Sequence, residues 1–376
     1  MKIDDKTSHN SPSLRFPEFT GEWEKCKIED ITDAVSSGKS KNHFSNGEYN
    51  LYGSTGIIGR TDKALYDGKL VLVARVGANA GFLQIINEPC GITDNTLILK
   101  PKGIDAFYLY YFLQHFNLNR LIFGSGQPLI TGGMLKKVKV SLGTISEQSK
   151  IVKFLSLLDE RIAVQNRLID RLQSLIKGIN RTIFTGSGLE YSLCDVCEIR
   201  SGYSGNQLQG GKGLGVSRIE TISAHNINLE RIGYVAPFDA SENYRLQVGD
   251  ILFSNINSVE YIGNTAFIDK DYNLYHGMNL LRLIPFRNVV VPFYLYILLN
   301  TNRMLKHFKT ICNKAVSQAS INQKELGKTI VMLPSLEKQQ QVCNIYQAMY
   351  SKLKTEKDVL SFYQEQKRYL LRHMFI

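Results

Sequence analysis

Alternate steps of four and three residues from Ile151 land on Leu155, Leu158, Ile162, Gln165, Ile169, Leu172, Ile176, Ile179 and Ile183, an apolar seam broken once, at Gln165. The same steps from Val342 land on Tyr346, Met349, Leu353, Glu356, Leu360, Tyr363, Lys367, Leu370 and Met374. Glu356 holds the place of Gln165. A heptad seam sustained this long predicts coiled-coil helices, and a polar residue within it fixes register at some cost in stability. The seam is narrow and the outer faces are rich in Lys, Arg, Gln and Ser, which favours two helices paired with each other over helices buried each on its own domain. Thr144 and Glu147 have the spacing of a capping box, and Pro334-Ser335 supplies a stop followed by an N-cap. At ~1.5 Å per residue, a helix from Ser146 to Ile183 is about 57 Å long.

The seams belong to a larger repeat. FYLYYFL at Phe107 to Leu113 returns as FYLYILL at Phe293 to Leu299. Each copy is followed by a Gln in a small-residue loop (Gly124-Ser125-Gly126-Gln127, then Val316-Ser317-Gln318-Ala319) and by a short apolar strand ending in Leu142 or Leu333. From the Gln onward the copies are 191 positions apart. A repeat of this length signals duplicated domains rather than a solenoid of small units. Between the helices the chain reads as short strands with Gly- and Asn-rich turns and a few helices, with strands predicted at Leu70 to Val76 and Asp250 to Ile256. Each strand runs into small polar residues, Gly77 to Gly81 or Asn257-Ser258, that can approach a phosphate backbone or a base edge.

No catalytic constellation assembles from the remaining residues. Gly38-Lys39-Ser40 has the ending of a P-loop, yet Asp33 stands where the first Gly belongs and no apolar strand precedes it. The run Gly210 to Gly215 follows no clear strand and reads as a flexible loop. The seven histidines are scattered, and the six cysteines (26, 90, 194, 197, 312 and 343) are too sparse for a disulfide framework. Cys194 and Cys197 make one C-x-x-C with no second pair at zinc spacing, so both are expected as buried strand residues and no metal is expected.

Composition narrows the partner. A chain of 376 residues with 43% hydrophobic content exceeds one core, and a formal charge of +11 favours a polyanion. The apolar runs are too short to cross a bilayer and the polar N-terminus lacks a secretory apolar core, which together predict a cytoplasmic protein without a membrane role. Polar and basic residues then recur in loops at matching places: Ser54, Thr55, Arg60, Arg75, Asn79 and Gln127 in the first module, and Arg218, Ser254, Asn255, Asn257, Lys314 and Gln318 in the second. Lys and Arg suit phosphates; Arg, Asn, Gln, Ser and Thr suit base edges. These twelve are the candidate DNA-binding residues.

Several stretches carry a resemblance: Ser13-Leu14-Arg15-Phe16-Pro17 with Glu22-Trp23, YGSTGIIG at Tyr52 to Gly59, and LVLVARVGANAG at Leu70 to Gly81. To these are added SGQP at Ser125 to Pro128, the Glu147-Gln148 helix opening, and GDILFSNIN at Gly249 to Asn257. In this order, and duplicated, they resemble the specificity subunit of type I restriction-modification enzymes over essentially the whole chain. The resemblance implies an α+β fold of two tandem target recognition domains, separated by two long helices that form an antiparallel coiled coil with a pseudo-twofold relation. On that expectation residues 1–20 are an N-terminal segment, 21–143 and 185–334 the recognition domains, and 144–184 and 335–376 the helices. It further implies a non-catalytic subunit that reads a bipartite, asymmetric double-stranded DNA site. Such a subunit docks two modification subunits and then restriction subunits, while S-adenosylmethionine, ATP and Mg are used by those partners and no cofactor by this chain. The competing reading is a non-enzymatic coiled-coil adaptor whose two modules bind protein; an enzyme with an unrecognised site is a third.

Overall fold

The computed structural model describes residues 10–41, 46–122, 127–182, 188–208, 211–222, 226–315 and 318–376. Gly124 to Gly126, Val316-Ser317, Gly210, the last seam position Ile183, and His9, His43 and His225 lie outside the described residues. The chain forms two compact units, residues 1–168 with 356–376, and residues 169–355. Each therefore combines a module with a part of both long helices.

In the first unit a four-stranded antiparallel sheet runs in the order Thr32–Ser37, Thr96–Pro101, Lys69–Ala74, Leu83–Asn87. Side chains alternate between its faces, as the strand period of two requires. Val71, Val73, Leu97 and Leu99 meet the helix Ala106–Phe116 in the larger core. Leu70, Leu72, Ile86 and Ile98 face the other way, onto Cys90 and Ile92 of a second, three-stranded sheet made of Gly56–Thr61, Tyr49–Gly53 and Cys90–Ile92. Sealing both faces makes Lys69–Ala74 a nearly unbroken apolar run, and each buried Val or Leu there contributes roughly 1.5–3 kcal/mol. The helix Ala106–Phe116, which is the FYLYYFL run, starts where the Asp105 carboxylate accepts the Phe107 and Tyr108 N–H groups and stops at Asn117 in the left-handed conformation.

Glu24–Lys27 pairs antiparallel with Lys139–Leu142, so the module closes beside the start of the central helix, Ile145–Thr182. That start differs from the expected capping box. Thr144 Oγ1 does accept the Glu147 N–H (3.3 Å), but the Glu147 carboxylate turns instead to the Arg15 guanidinium (2.7 and 2.8 Å) and to Trp23 Nε1 (3.1 Å). Tertiary charge pairing outbids a local N–H, because the Glu147 side chain is only 1% exposed and a buried carboxylate needs a cation. The Arg15 and Trp23 of the opening sequence thus lock the N-terminal segment to the helix.

The C-terminal helix, Leu336–His373, contributes its second half to this unit. Lys367 Nζ pairs with Asp159 at 2.6 Å, and Gln165 Nε2 donates to the Glu356 carbonyl (2.9 Å) and to its carboxylate. Partners descend on one helix as they ascend on the other, which is antiparallel pairing. The two polar seam residues meet each other, at 8% and 7% exposure. Lys367, the other polar seam position, keeps its ammonium on Asp159 and over the Tyr111 ring, whose hydroxyl also donates to Asp159. Every described seam position on both helices is buried or half-buried.

The second unit repeats the plan. Its four-stranded sheet runs Cys197–Ser201, Leu281–Pro285, Ile251–Phe253, Thr265–Phe267, the same succession as in the first. Ile251, Phe253, Leu281 and Leu283 face the helices Pro292–Leu299 and Asn302–Ile311, while Leu252 and Ala266 face a second core with Ile222, Leu246 and Leu274. Leu189–Ser192 pairs with Ile330–Leu333 to close the module. The two helix openings share one device: Gln148 Nε2 donates to Gly143 O and Gln339 Nε2 to Pro334 O, both at 2.9 Å.

Three local expectations are corrected. The first strand ends at Ala74 rather than Val76, because the Arg75 N–H and C=O leave the ladder for Asn95 and Ile130. The second covers only Ile251–Phe253; Asp250 is drawn into a turn by the Gln247 N–H, and Ile256–Asn257 joins a different sheet. Cys194 lies exposed in the short helix Leu193–Val196, and only Cys197 is a buried strand residue.

Candidate nucleic-acid interface

At the end of Lys69–Ala74 the chain turns through residues 75–81, held by Ala80 N–H to Gly77 O and Gly81 N–H to Ala74 O (both 2.9 Å). Gly77 and Gly81 take positive φ, 80° and 87°, which L side chains adopt only with strain. The segment after the helix is laid against this loop: Gly77 N–H donates to Pro128 O (3.0 Å), Ile130 N–H to Arg75 O (2.8 Å), and Val76 bridges Leu129. Arg75 N–H also donates to Asn95 O, and the same carbonyl accepts Ser54 Oγ from the tip of the hairpin Tyr49–Thr61. Ser54, Arg75, Asn79 and Gln127 therefore share one end of the module. Thr55, Asn79 and Gln127 are exposed there.

The hairpin is fixed at its base by Glu88, which accepts from Asn50 Nδ2 (2.8 Å) and the Tyr52 hydroxyl (2.6 Å); these bonds hold its carboxyl below the usual range. Arg60 does not join the group. Its guanidinium donates to the carbonyls of Gly47 (2.5 Å) and Glu48 (2.6 Å), at the end of the hairpin away from the tip. Its work is to close a turn.

The second module builds the corresponding arrangement. Ile256–Asn257 pairs with Ala319–Ser320, which pairs in turn with Asn313–Lys314, and Ile321 N–H donates to Asn255 O (2.9 Å). Asn255, Asn257, Lys314 and Gln318 are thereby gathered, with Lys314 and Gln318 exposed. Ser254 is fully buried, its hydroxyl accepting from Asn257 Nδ2 (3.1 Å). It shapes the loop from beneath and presents nothing to a ligand. Arg218 stands in a separate turn before Ile219–Ile222, 3.6 Å from Glu220.

In both modules, then, a polar loop at a strand end is clasped by the Gln-bearing segment that follows the helical run. The clasp is absent from any sequence motif, because its hydrogen bonds join backbone groups some fifty residues apart in the first module and some sixty-five in the second. Among the described residues no three His, Cys, Asp or Glu side chains cluster as a metal site, and no helix is long and apolar enough to cross a membrane.

Two modules with the same four-stranded sheet order, each presenting a polar loop cluster and each joined to a part of both long helices, define a duplicated scaffold. The chain belongs to the family of type I restriction modification DNA specificity domains, whose model matches residues 20–174 and 189–361. A Methanocaldococcus jannaschii protein assigned as the MjaX specificity subunit of a type I restriction enzyme is 38% identical over 187 residues, 49% of this chain and 44% of that protein. The MjaVIII specificity subunit of the same organism is 30% identical over 134 residues, 34% of this chain and 31% of that one. The matched stretches thus span less than half the length of these relatives. Among solved structures, the S subunit of a type I restriction-modification system from M. genitalium has a TM-score of 0.66 at 19% identity, with 97% of this chain and 99% of that one covered. That likeness establishes the fold.

Proposed function

We propose that this chain is the DNA specificity subunit of a type I restriction-modification enzyme, itself non-catalytic, reading a bipartite and asymmetric site through residues 21–143 and 185–334. The observation that carries the reading is the matched clasp: equivalent loops held equivalently, bearing Ser54, Arg75, Asn79 and Gln127 in one module and Asn255, Asn257, Lys314 and Gln318 in the other. Equal scaffolds with unequal side chains suit two different half-sites. Phosphate contacts position such modules and base-edge contacts specify sequence.

The chain's own contribution is positional. Loops pre-ordered by backbone hydrogen bonds present amides and cations without an ordering penalty at binding. Long helices, residues 144–184 and 335–376, set the gap between half-sites and offer docking faces to two modification subunits and, beyond them, restriction subunits. Exposed apolar residues support such docking: Phe154, Leu157, Val164 and Leu168 follow a second heptad line on the central helix, and Phe362 and Tyr369 are exposed on the C-terminal one. S-adenosylmethionine, ATP and Mg belong in this reading to the partner subunits, and the compartment is the cytoplasm.

Sequencing the methylome of cells that carry the chain with its modification subunits tests the reading. A split adenine-methylated site is expected, and exchanging residues 21–143 for another member's module should replace one half-site only. Methylation of an unsplit site, or replacement of both halves, sinks it. Binding that weakens steeply with salt separates DNA from a protein ligand. A further expectation concerns the gap: inserting one matched turn into both helices, about 5.4 Å, should lengthen it by roughly one to two base pairs and leave the half-sites unaltered. An unchanged gap in the methylated site would remove the helices from that role.

A further inference from the structure

At the end of the hairpin Tyr49–Thr61 away from its tip lies an open cleft of about 500 Å³ lined by Lys39, Ser40, Lys41, Thr61, Asp62, Lys63 and Leu65. One wall is the stretch Gly38 to Lys41, of which Gly38-Lys39-Ser40 resembles a P-loop ending. It is fixed by Gly38 N–H to Thr96 O (3.0 Å), Ser40 N–H to Ile92 O (2.9 Å) and Ile92 N–H to Ser40 Oγ (3.1 Å). A Cβ at Gly38 would come within 2.3 Å of the Ile92 carbonyl, so this close approach requires glycine. The buried Ser40 and Thr61 form the floor, and the three lysines are exposed around it. Against three ammonium groups stands one carboxylate, Asp62, and among the described residues none of these lysines is held in a salt bridge.

The wall is bonded to the turn 92–96, and that turn also receives Ser54 Oγ and the Arg75 N–H on the Asn95 carbonyl. The wall of the cleft and the reading loops are therefore bonded to one turn, with the hairpin Tyr49–Thr61 running from the loops to the cleft. We propose that Lys39, Lys41 and Lys63 form a phosphate seat for the DNA backbone, holding the duplex in register against the first module's loops. The inference rests on the DNA-reading function proposed above. Lysine ammoniums bind phosphate as point charges and carry no sequence information, so the seat adds affinity and salt dependence but not specificity. Among the described residues no glycine-rich turn feeds a helix N-terminus at the cleft, the feature a nucleoside triphosphate site uses.

The test uses the chain assembled with its modification subunits and a duplex bearing the methylome-determined site, titrated over a range of KCl. Lys39→Ala/Lys41→Ala/Lys63→Ala should flatten the log–log salt dependence by roughly 2 to 3, with the preference for the site over unrelated DNA retained. The corresponding triple Arg variant should keep the slope, Asp62→Asn should tighten binding, and Lys25→Ala, at an exposed position elsewhere, should change the slope by no more than a single charge. Unfolding curves matching wild type show that the variants fold. An unaltered slope in the triple Ala variant overturns the seat while leaving the DNA-reading function standing; a wild-type complex that prefers no DNA sequence overturns the function itself. Millimolar inorganic phosphate or ATP should bind the triple Ala variant and wild type alike. Tight binding of either to wild type alone assigns the cleft to a free phosphate compound and overturns the seat.

Discussion

Replacing Arg282 by Met is expected to destabilise the second unit by about 3–5 kcal/mol, the usual loss when one partner of a buried ion pair is removed. Arg282 Nη2 lies 2.6 Å from Asp250, with the side chains 5% and 4% exposed. The arginine projects from the strand Leu281–Pro285 on the face shared by Leu252 and Ala266, so neither charge reaches bulk water. Its remaining contact is Nη1 to Asn243 O at 3.3 Å, while Nε is buried without a partner. Asp250 keeps the Gln247 N–H at 2.6 Å, one bond for a whole charge. Burial already holds the Asp250 carboxyl above the usual aspartate range, against the pull of that N–H and of Arg282. An aspartate raised in the folded state favours folding more at low pH, where it is protonated in both states. The deficit of the variant should accordingly shrink as pH falls. Adding Asp250→Asn, which removes the orphaned charge and retains an acceptor for Gln247, should restore most of the loss. Urea unfolding of the single and double variants measures both. A loss below 1 kcal/mol, or a double variant no better than the single, would mean that the pair is solvated in solution.

Lowering pH from 7 to 5 should cost the second unit about 2 kcal/mol through His276 alone, and about 3 kcal/mol by the time its folded pKa is passed. The side chain is 1% exposed and its Nε2 lies 3.0 Å from Leu280 O, a contact suited to the neutral ring with a proton on Nε2. Burial pushes the imidazole down to about 4, with Arg282 nearby pushing the same way and the Leu280 carbonyl opposing. For a base depressed in this manner the unfolded chain takes up the proton first. The stabilising contribution is complete above pH 6.5 and disappears as pH falls through 4. His115 and His307 are lowered in the same direction by burial, so wild type alone does not isolate the effect. Comparison with His276→Gln does: its urea midpoint should vary less between pH 7 and 5 than that of wild type. Parallel pH profiles would rule out His276 as the source.

Both residues illustrate why polar roles resist sequence reading. Arg282 and His276 carry no motif, and a lone histidine reads as satisfied structure, which His276 is. Arg60 and Ser254 look as suitable for DNA as Asn79 or Gln127. The structure separates them by what they already touch: Gly47 and Glu48 occupy the Arg60 guanidinium, and the Ser254 hydroxyl lies under Asn257. Lys39 reads in the sequence only as part of an imperfect nucleotide motif, and it is the fold that bonds its stretch to the turn 92–96 on which Ser54 and Arg75 also rest.

By itself the sequence determined the features that repeat at short range or recur whole. The heptad lines from Ile151 and Val342, the polar positions Gln165 and Glu356, and the duplicated succession around Gln127 and Gln318 are periodic, and a helix surface translates period directly into a face. Gln165 and Glu356 hold matching places in the two seams, and in the fold the first donates to the second. Only the tertiary structure decided which polar groups remain available. A side chain's hydrogen bonds go to whatever the fold brings within reach, as Glu147 chose Arg15 and Trp23 over its own helix start, and those partners stand more than a hundred residues away.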